Sequence, residues 1–180
     1  LQPNRSQVRI NSNPQSPRIR RLWVRLQPDD SIDPTTTPRD RDAVVTPITN
    51  AMTVDVEDYF QVSAFENCIP KSDWDRLPCR VEANVDRILQ LFEDKGAKAT
   101  FFTLGWVAER YPDMVRRIVA NGHEMASHGW EHIRANTQNR AQFRDDVVRT
   151  KSLLEDLSGQ RVNGYRAASY SICRDNLWAL

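Results

Sequence analysis

Residues 97–132 read AKATFFTLGWVAERYPDMVRRIVANGHEMASHGWEH, and the order of patterns within them decides the fold. Ala99–Leu104 is a short apolar run rich in β-formers, as expected of a strand buried on both faces. Pro112 suits the first position of a helix; Met114, Val115, Ile118 and Val119 then make an apolar stripe that Gly122 ends. Glu124–Ser127 follows as a short strand. A strand, a helix and a strand in this succession predict a parallel pair joined by a crossover.

The pattern extends in both directions. Upstream, Ala51–Val56 reads as a buried strand and Gln61–Pro78 as a long loop carrying Phe65, Pro70 and Trp74. Val81–Asp94 has helical periodicity through Val85, Ile88, Leu89 and Phe92, with Gly96 as a C-cap. Downstream, Phe143, Val147, Val148, Leu153, Leu154 and Leu157 mark a long helix stopped by Gly159, and Val162–Arg166 is expected as a further strand. The fold class is therefore α/β with a parallel sheet and crossover helices. In such folds ligands sit at the carboxyl ends of strands. Asp55 to Asp58, His128 with His132, and Arg166 all fall there.

Residues 1–50 are different. They hold seven of the ten prolines, eight arginines, no lysine and no glycine. No sustained apolar period runs through them, so they are expected to be a disordered basic segment. Two readings stay open: a solvated arm, or translation from upstream of a true start near Met52. The charges of the chain nearly balance, at 25 basic and 24 acidic residues, which gives no electrostatic case for nucleic acid. No run approaches the ~20 apolar residues of a membrane span, and no signal-peptide core is visible. Cys68, Cys79 and Cys173 form no CxxC pair and suit a reducing compartment, so a cytoplasmic location is expected. The oligomeric state is not legible.

All three histidines fall between Asn121 and His132. His128 and His132 are spaced i, i+4, which places both imidazoles on one face if the segment is helical. Two imidazoles and a carboxylate make a common site for a divalent ion that keeps positions open for water. His123 precedes the strand and is read as a structural hydrogen-bonding residue. Asp55 and Glu57 share parity along an extended chain and so point the same way; Asp58 either points elsewhere or caps the next segment. One carboxylate would bind the ion and another would take a proton from water. Arg166 could hold the base carboxylate in place. Tyr59, Trp130 and Tyr170 flank these positions as an aromatic rim suited to sugar rings, whereas Trp106 and Trp178 are read as core.

These residues together resemble the polysaccharide deacetylases with a NodB-homology domain, carbohydrate esterase family 4. Three family motifs are recognisable: Thr53-Val54-Asp55-Val56-Glu57-Asp58, His128-Gly129-Trp130-Glu131-His132 preceded by Gly122-His123-Glu124, and Tyr165-Arg166-Ala167-Ala168-Ser169. The stretch Asp-Val-Glu-Asp-Tyr-Phe looks like the subgroup of exosortase-associated exopolysaccharide loci. The resemblance covers residues 51–180 and implies a distorted (β/α) barrel, here truncated to about four strands. It implies Asp55 as catalytic base with Arg166 beside it, and a divalent ion, with zinc expected, held by His128, His132 and Glu57, with Asp58 in reserve. The implied partner is an N-acetylated amino-sugar polymer or oligosaccharide. Two departures stand out: Val56 occupies the position where the family usually has its metal aspartate, and Ala168 replaces a proline. The remaining family motifs, including a histidine that protonates the leaving amine, are not found, since His132 is the last histidine. The resemblance thus implies an amino-terminal part of such a domain, with little or no turnover by these residues alone. Three alternatives remain: another C–N amide hydrolase of the superfamily, a non-catalytic carbohydrate-binding remnant, or a structural module with satisfied histidines.

Overall fold

Three strands carry the site: β4 (Thr53–Val56), β5 (Thr100–Thr103) and β6 (Glu124–Ser127), parallel and in the order β4-β5-β6. They belong to a computed structural model that describes residues 49–180 and the segments Val8–Arg9 and Val24–Leu26. Most of residues 1–50, expected as a disordered segment, lies outside the described residues. Its described parts are three short antiparallel strands, β1 (Val8–Arg9), β2 (Val24–Leu26) and β3 (Thr49–Asn50).

The parallel register sets Val56 level with Thr103, and Thr103 level with Ser127. All three strands therefore end in one row, and the residues just beyond them emerge on one rim. Three helices follow the expected pattern. In α1 (Val81–Lys95), Val81, Val85, Leu89 and Phe92 are buried and Gly96 closes the helix at φ 60°. In α3 (Pro112–Ala120), proline opens the helix and Met114, Val115 and Ile118 are buried. In α4 (Arg140–Ser158), Asn139 and Gln142 form a reciprocal capping box, and Gly159 ends the helix at φ 64°. A further helix, α2 (Gly105–Arg110), has no counterpart in the sequence reading. It is too short for a helical period to register, and its residues 105–108 are all buried. Phe101, Leu104, Met114, Ile118, Met125 and Leu154 are fully buried between sheet and helices. Trp106 is core, as expected, while Trp178 is only half-buried and stacks edge-on against Phe143. Among the described residues no helix is long and apolar enough to cross a membrane.

The expected strand over Val162–Arg166 does not form. Only a single parallel bridge joins Ser127 and Tyr165. The reason lies in α4, whose side chains take the backbone of Val162. Glu155 Oε1 accepts from its N–H at 2.9 Å, and Lys151 Nζ donates to its carbonyl at 2.5 Å. The bridge still sets the chain: Arg166 N–H donates to the Ser127 carbonyl at 2.9 Å.

His123 is structural, as its position suggests. It is 3% exposed, and its Nδ1 accepts from Ala99 N–H at 3.2 Å. Burial, then the charge of Lys98, lowers its pKa to about 4. The folded state thus holds it neutral, while the unfolded chain protonates it below about 6.5. Stability from this residue is complete above about pH 6.5 and falls as pH drops toward 4, by about 3 kcal/mol in all. Urea unfolding across pH 4–7 is expected to show this slope in the native chain and a shallower one in His123→Asn; equal slopes would refute the assignment.

Candidate metal and hydrolytic site

Beyond the aligned strand ends the chain delivers Glu57 after β4 and His128 after β6. His128 N–H donates to the Thr103 carbonyl at 3.0 Å, continuing the ladder by one residue. Its ring is 3% exposed. Nδ1 lies 2.8 Å from the Arg166 carbonyl. A carbonyl can only accept, so Nδ1 carries the proton and Nε2 presents its lone pair to the site.

His132 reaches the same point by a different route from the expected one. Residues 128–132 are not helical; a loop turns twice through left-handed backbone, at Gly129 (φ 78°) and at His132 itself (φ 56°). The loop is held from outside. Gly105 and Trp106, which open α2, donate backbone N–H groups to the Gly129 and Trp130 carbonyls, both at 2.9 Å. From α4, Asp146 Oδ1 accepts from Trp130 N–H at 3.0 Å, and its Oδ2 lies so close to Gly129 that a Cβ there would sit 2.8 Å away. Asp146 therefore fixes the histidine loop, a role no sequence spacing announced. Burial raises its pKa, and the Trp130 N–H opposes that shift.

Glu57 completes the cluster. Its Oε2 stands 3.2 Å from His132 Nε2 and 3.8 Å from His128 Nε2. One ligand atom from each of the three residues lies within 4.8 Å of the others. Glu57 Oε2 is buried and has no hydrogen-bond partner among the described residues. Burial, then the charge of Asp55, raises the Glu57 pKa to about 7. Burial lowers both imidazoles, His132 to about 4 with His128 as second cause. Burial thus disfavours the charged form of each of the three groups, a cost that a divalent cation among them relieves. Two imidazole nitrogens and one carboxylate oxygen are a donor set that fits zinc or a similar ion.

Asp55 sits one side-chain repeat back on β4. Arg166 Nη1 donates to Asp55 Oδ1 at 2.5 Å and Nη2 to Thr53 Oγ1 at 3.0 Å. The guanidinium also rests on the Phe102 ring, 4.0 Å from its centroid. One residue thereby positions two others: Arg166 holds Asp55 with its side chain and the His128 tautomer with its carbonyl. Asp55, Glu57, His128, His132, Arg166 and Tyr170 line one cleft of about 250 Å³.

Three expected site residues are placed elsewhere. Asp58, the reserve ligand, is 5% exposed and turned inward. It accepts from the N–H groups of Tyr59 (2.8 Å), Val81 (2.9 Å) and Arg80, capping both the following turn and α1. Trp130 is buried beneath Arg149, 3.2 Å from its ring centroid, and lines a different cleft. Tyr59 packs edge-on to Phe60 and under Arg80. Tyr170 alone of the three aromatics stands open at the site, at φ 52°. For Asp58→Ala we expect a loss of about 2–4 kcal/mol in stability, because buried N–H groups lose their acceptor. Denaturant unfolding paired with metal titration checks it: a normal midpoint with lost metal binding would return Asp58 to the ligand set.

Residues 72–179 match the family model for polysaccharide deacetylase, and the chain belongs to that family. The matched span contains both histidines and Arg166 but begins after Asp55 and Glu57. A peptidoglycan-N-acetylglucosamine deacetylase of Bacillus cereus is 32% identical over 94 residues, covering 52% of this chain and 34% of that protein. A peptidoglycan deacetylase of Helicobacter pylori is 31% identical over 86 residues, covering 48% of this chain and 29% of its own length. The chain thus spans about a third of the length of these two relatives. The solved structure of a carbohydrate esterase family 4 pseudoenzyme from Bacillus anthracis superposes with a TM-score of 0.56 at 20% identity, over 72% of this chain and 38% of that one. That likeness gives the fold: the parallel sheet and its helices are part of an α/β barrel of the deacetylase type.

Proposed function

We propose that these residues form the metal- and base-bearing part of a hydrolase that removes N-acetyl groups from an amino-sugar polymer or its precursor. The observation that carries this reading is the buried, unpartnered Glu57 Oε2 facing two imidazole nitrogens, beside an aspartate held by Arg166. His128, His132 and Glu57 would hold a divalent ion, zinc being the best fit to the donors. Bound there, such an ion supplies Lewis-acid polarisation of an amide carbonyl and acidifies water.

The chain's own groups do the rest. Arg166 occupies Asp55 Oδ1 and leaves Oδ2 to take the proton of the attacking water. Arg166 also sets the angle of that carboxylate, so the base is positioned before substrate arrives. The exposed Tyr170 ring is available to stack on a sugar face. Water adds to the acetamide carbon as Asp55 takes its proton, that proton is returned to the departing nitrogen, the C–N bond breaks, and acetate and the amine leave. The similarity to proteins named peptidoglycan-N-acetylglucosamine deacetylase and peptidoglycan deacetylase supports the substrate class. The test is acetate release from N-acetylated chito-oligosaccharides by the whole protein with metal bound. Glycan binding without acetate release would leave a carbohydrate-binding protein and end the enzymatic reading.

A further inference from the structure

Arg166 reaches Asp55 from across the sheet. Its backbone is tied to β6, where its N–H donates to the Ser127 carbonyl, yet its guanidinium donates to Asp55 and Thr53 on β4. Between these anchors runs β5, the middle strand. The side chain must therefore pass over both β6 and β5. The register shows what lies beneath it: Asp55, Phe102 and Ala126 stand level on β4, β5 and β6. Level residues of parallel strands face the same side of the sheet, so the three form one row. Ala126 is small and leaves the way over β6 clear. Phe102 meets the guanidinium on β5, with Cζ 4.0 Å from the ring centroid.

Phe102 stands apart from its neighbours in the fold. Phe101 is fully buried in the apolar core, whereas Phe102 is half-buried and lies outside that cluster. The edge of the ring is hemmed in, since a Cβ at Gly164 would lie 3.8 Å from Phe102 Cε1. Arginine is long and rich in rotamers. The tip of Arg166 and its Asp55 partner are each about a third open to water, at 29% and 33%, so two hydrogen bonds there leave the stem and the tilt of the guanidinium free to vary. A cation seated on an aromatic face gains a further, directional hold. We propose that Phe102 is a positioning residue for the hydrolysis: its ring props the Arg166 guanidinium over the middle strand and so sets the plane in which Asp55 meets the attacking water. The inference rests on the reading of Asp55 as the base.

Phe102→Leu and Phe102→Met each remove the ring and keep apolar bulk; Phe102→Tyr keeps the ring. With the whole protein loaded with zinc and given N-acetylated chito-oligosaccharide, the Leu and Met variants are expected to lose about tenfold in kcat, within the range of a partly desolvated cation–π contact, with KM unchanged. Phe102→Tyr should keep the native kcat. Zinc affinity should stay native in all three, because the His128 ring is held by the Arg166 carbonyl and not by its side chain. In an Arg166→Ala background the loss should vanish, which a merely structural role of Phe102 would not produce. Native kcat in the Leu and Met variants, equal loss in the Tyr variant, or an undiminished loss in the Arg166→Ala background overturns the proposal. A second readout needs no turnover: the Arg166 guanidinium protons, followed by NMR, are expected to exchange slowly in the native chain and in Phe102→Tyr and faster in Phe102→Leu. Unchanged exchange in Phe102→Leu overturns the hold on Arg166. Faster exchange in a protein that releases no acetate removes the deacetylase reading and keeps Phe102 as the support of Arg166.

Discussion

Glu57→Gln is expected to lower the affinity for zinc by more than about 100-fold, since loss of a residue that merely supports a ligand costs about 10–100-fold. The substitution keeps the shape of the side chain and removes the charge. The pH profile carries the sharper signature. Glu57 is protonated below about 7 because burial and Asp55 disfavour its anion, and an ion must displace that proton. Affinity in the native chain should therefore fall about tenfold per pH unit below 7 and level off above it. His132, with its pKa at about 4, is neutral across that window and adds no slope between pH 5 and 7; burial lowers His128 as well. Competition titration against a chromophoric chelator measures both effects. A native profile flat from pH 5 to 8, or tight binding by the Gln variant, would remove Glu57 from the ligand set.

Asp55→Asn is expected to retain the ion and lose about 10²–10⁴ in kcat, the range for removing a positioned acid or base. The geometry around the residue should survive, since Asn offers the same carbonyl oxygen to Arg166. Because the Asp55 charge is the second cause of the raised Glu57 pKa, the same variant should also move the bend in the metal-affinity profile to lower pH. The two readouts are independent: kcat reports the proton acceptor, and the bend reports proximity to Glu57. An Asp55→Asn protein with native kcat would mean that another group takes the proton.

Much of this arrangement was legible before any coordinates. The strand–helix alternation from Ala97 to His132, the glycine stops at Gly96 and Gly159, and the strand-end placement of Asp55, Glu57, His128 and Arg166 follow from period and punctuation. Other parts were hidden for identifiable reasons. The spacing of His128 and His132 was right about convergence and misleading about backbone, because HxxxH reads the same on a helix and on a loop held by Asp146. The Asp58 cap did leave a signal, the Asp-x-x-Gln spacing that ends at Gln61, and the same spacing from Asn139 to Gln142 opens α4. Trp130 lies inside the histidine motif yet faces away from it, since the loop reverses at Gly129. The missing last strand turned on two side chains of α4, Lys151 and Glu155, which no local pattern at Val162 discloses.

The left-handed torsion of His132 has a consequence of its own. Backbone of this hand costs any residue but glycine, although histidine, like asparagine and aspartate, takes it more readily than most, so the imidazole is aimed by a bend that still carries a cost. Easing the bend and keeping the ligand are opposing demands on a single peptide unit. Selection for a sturdier fold at this position would therefore favour sequences in which the third donor is lost, a built-in path by which an enzyme of this architecture could drift into an inert binding module.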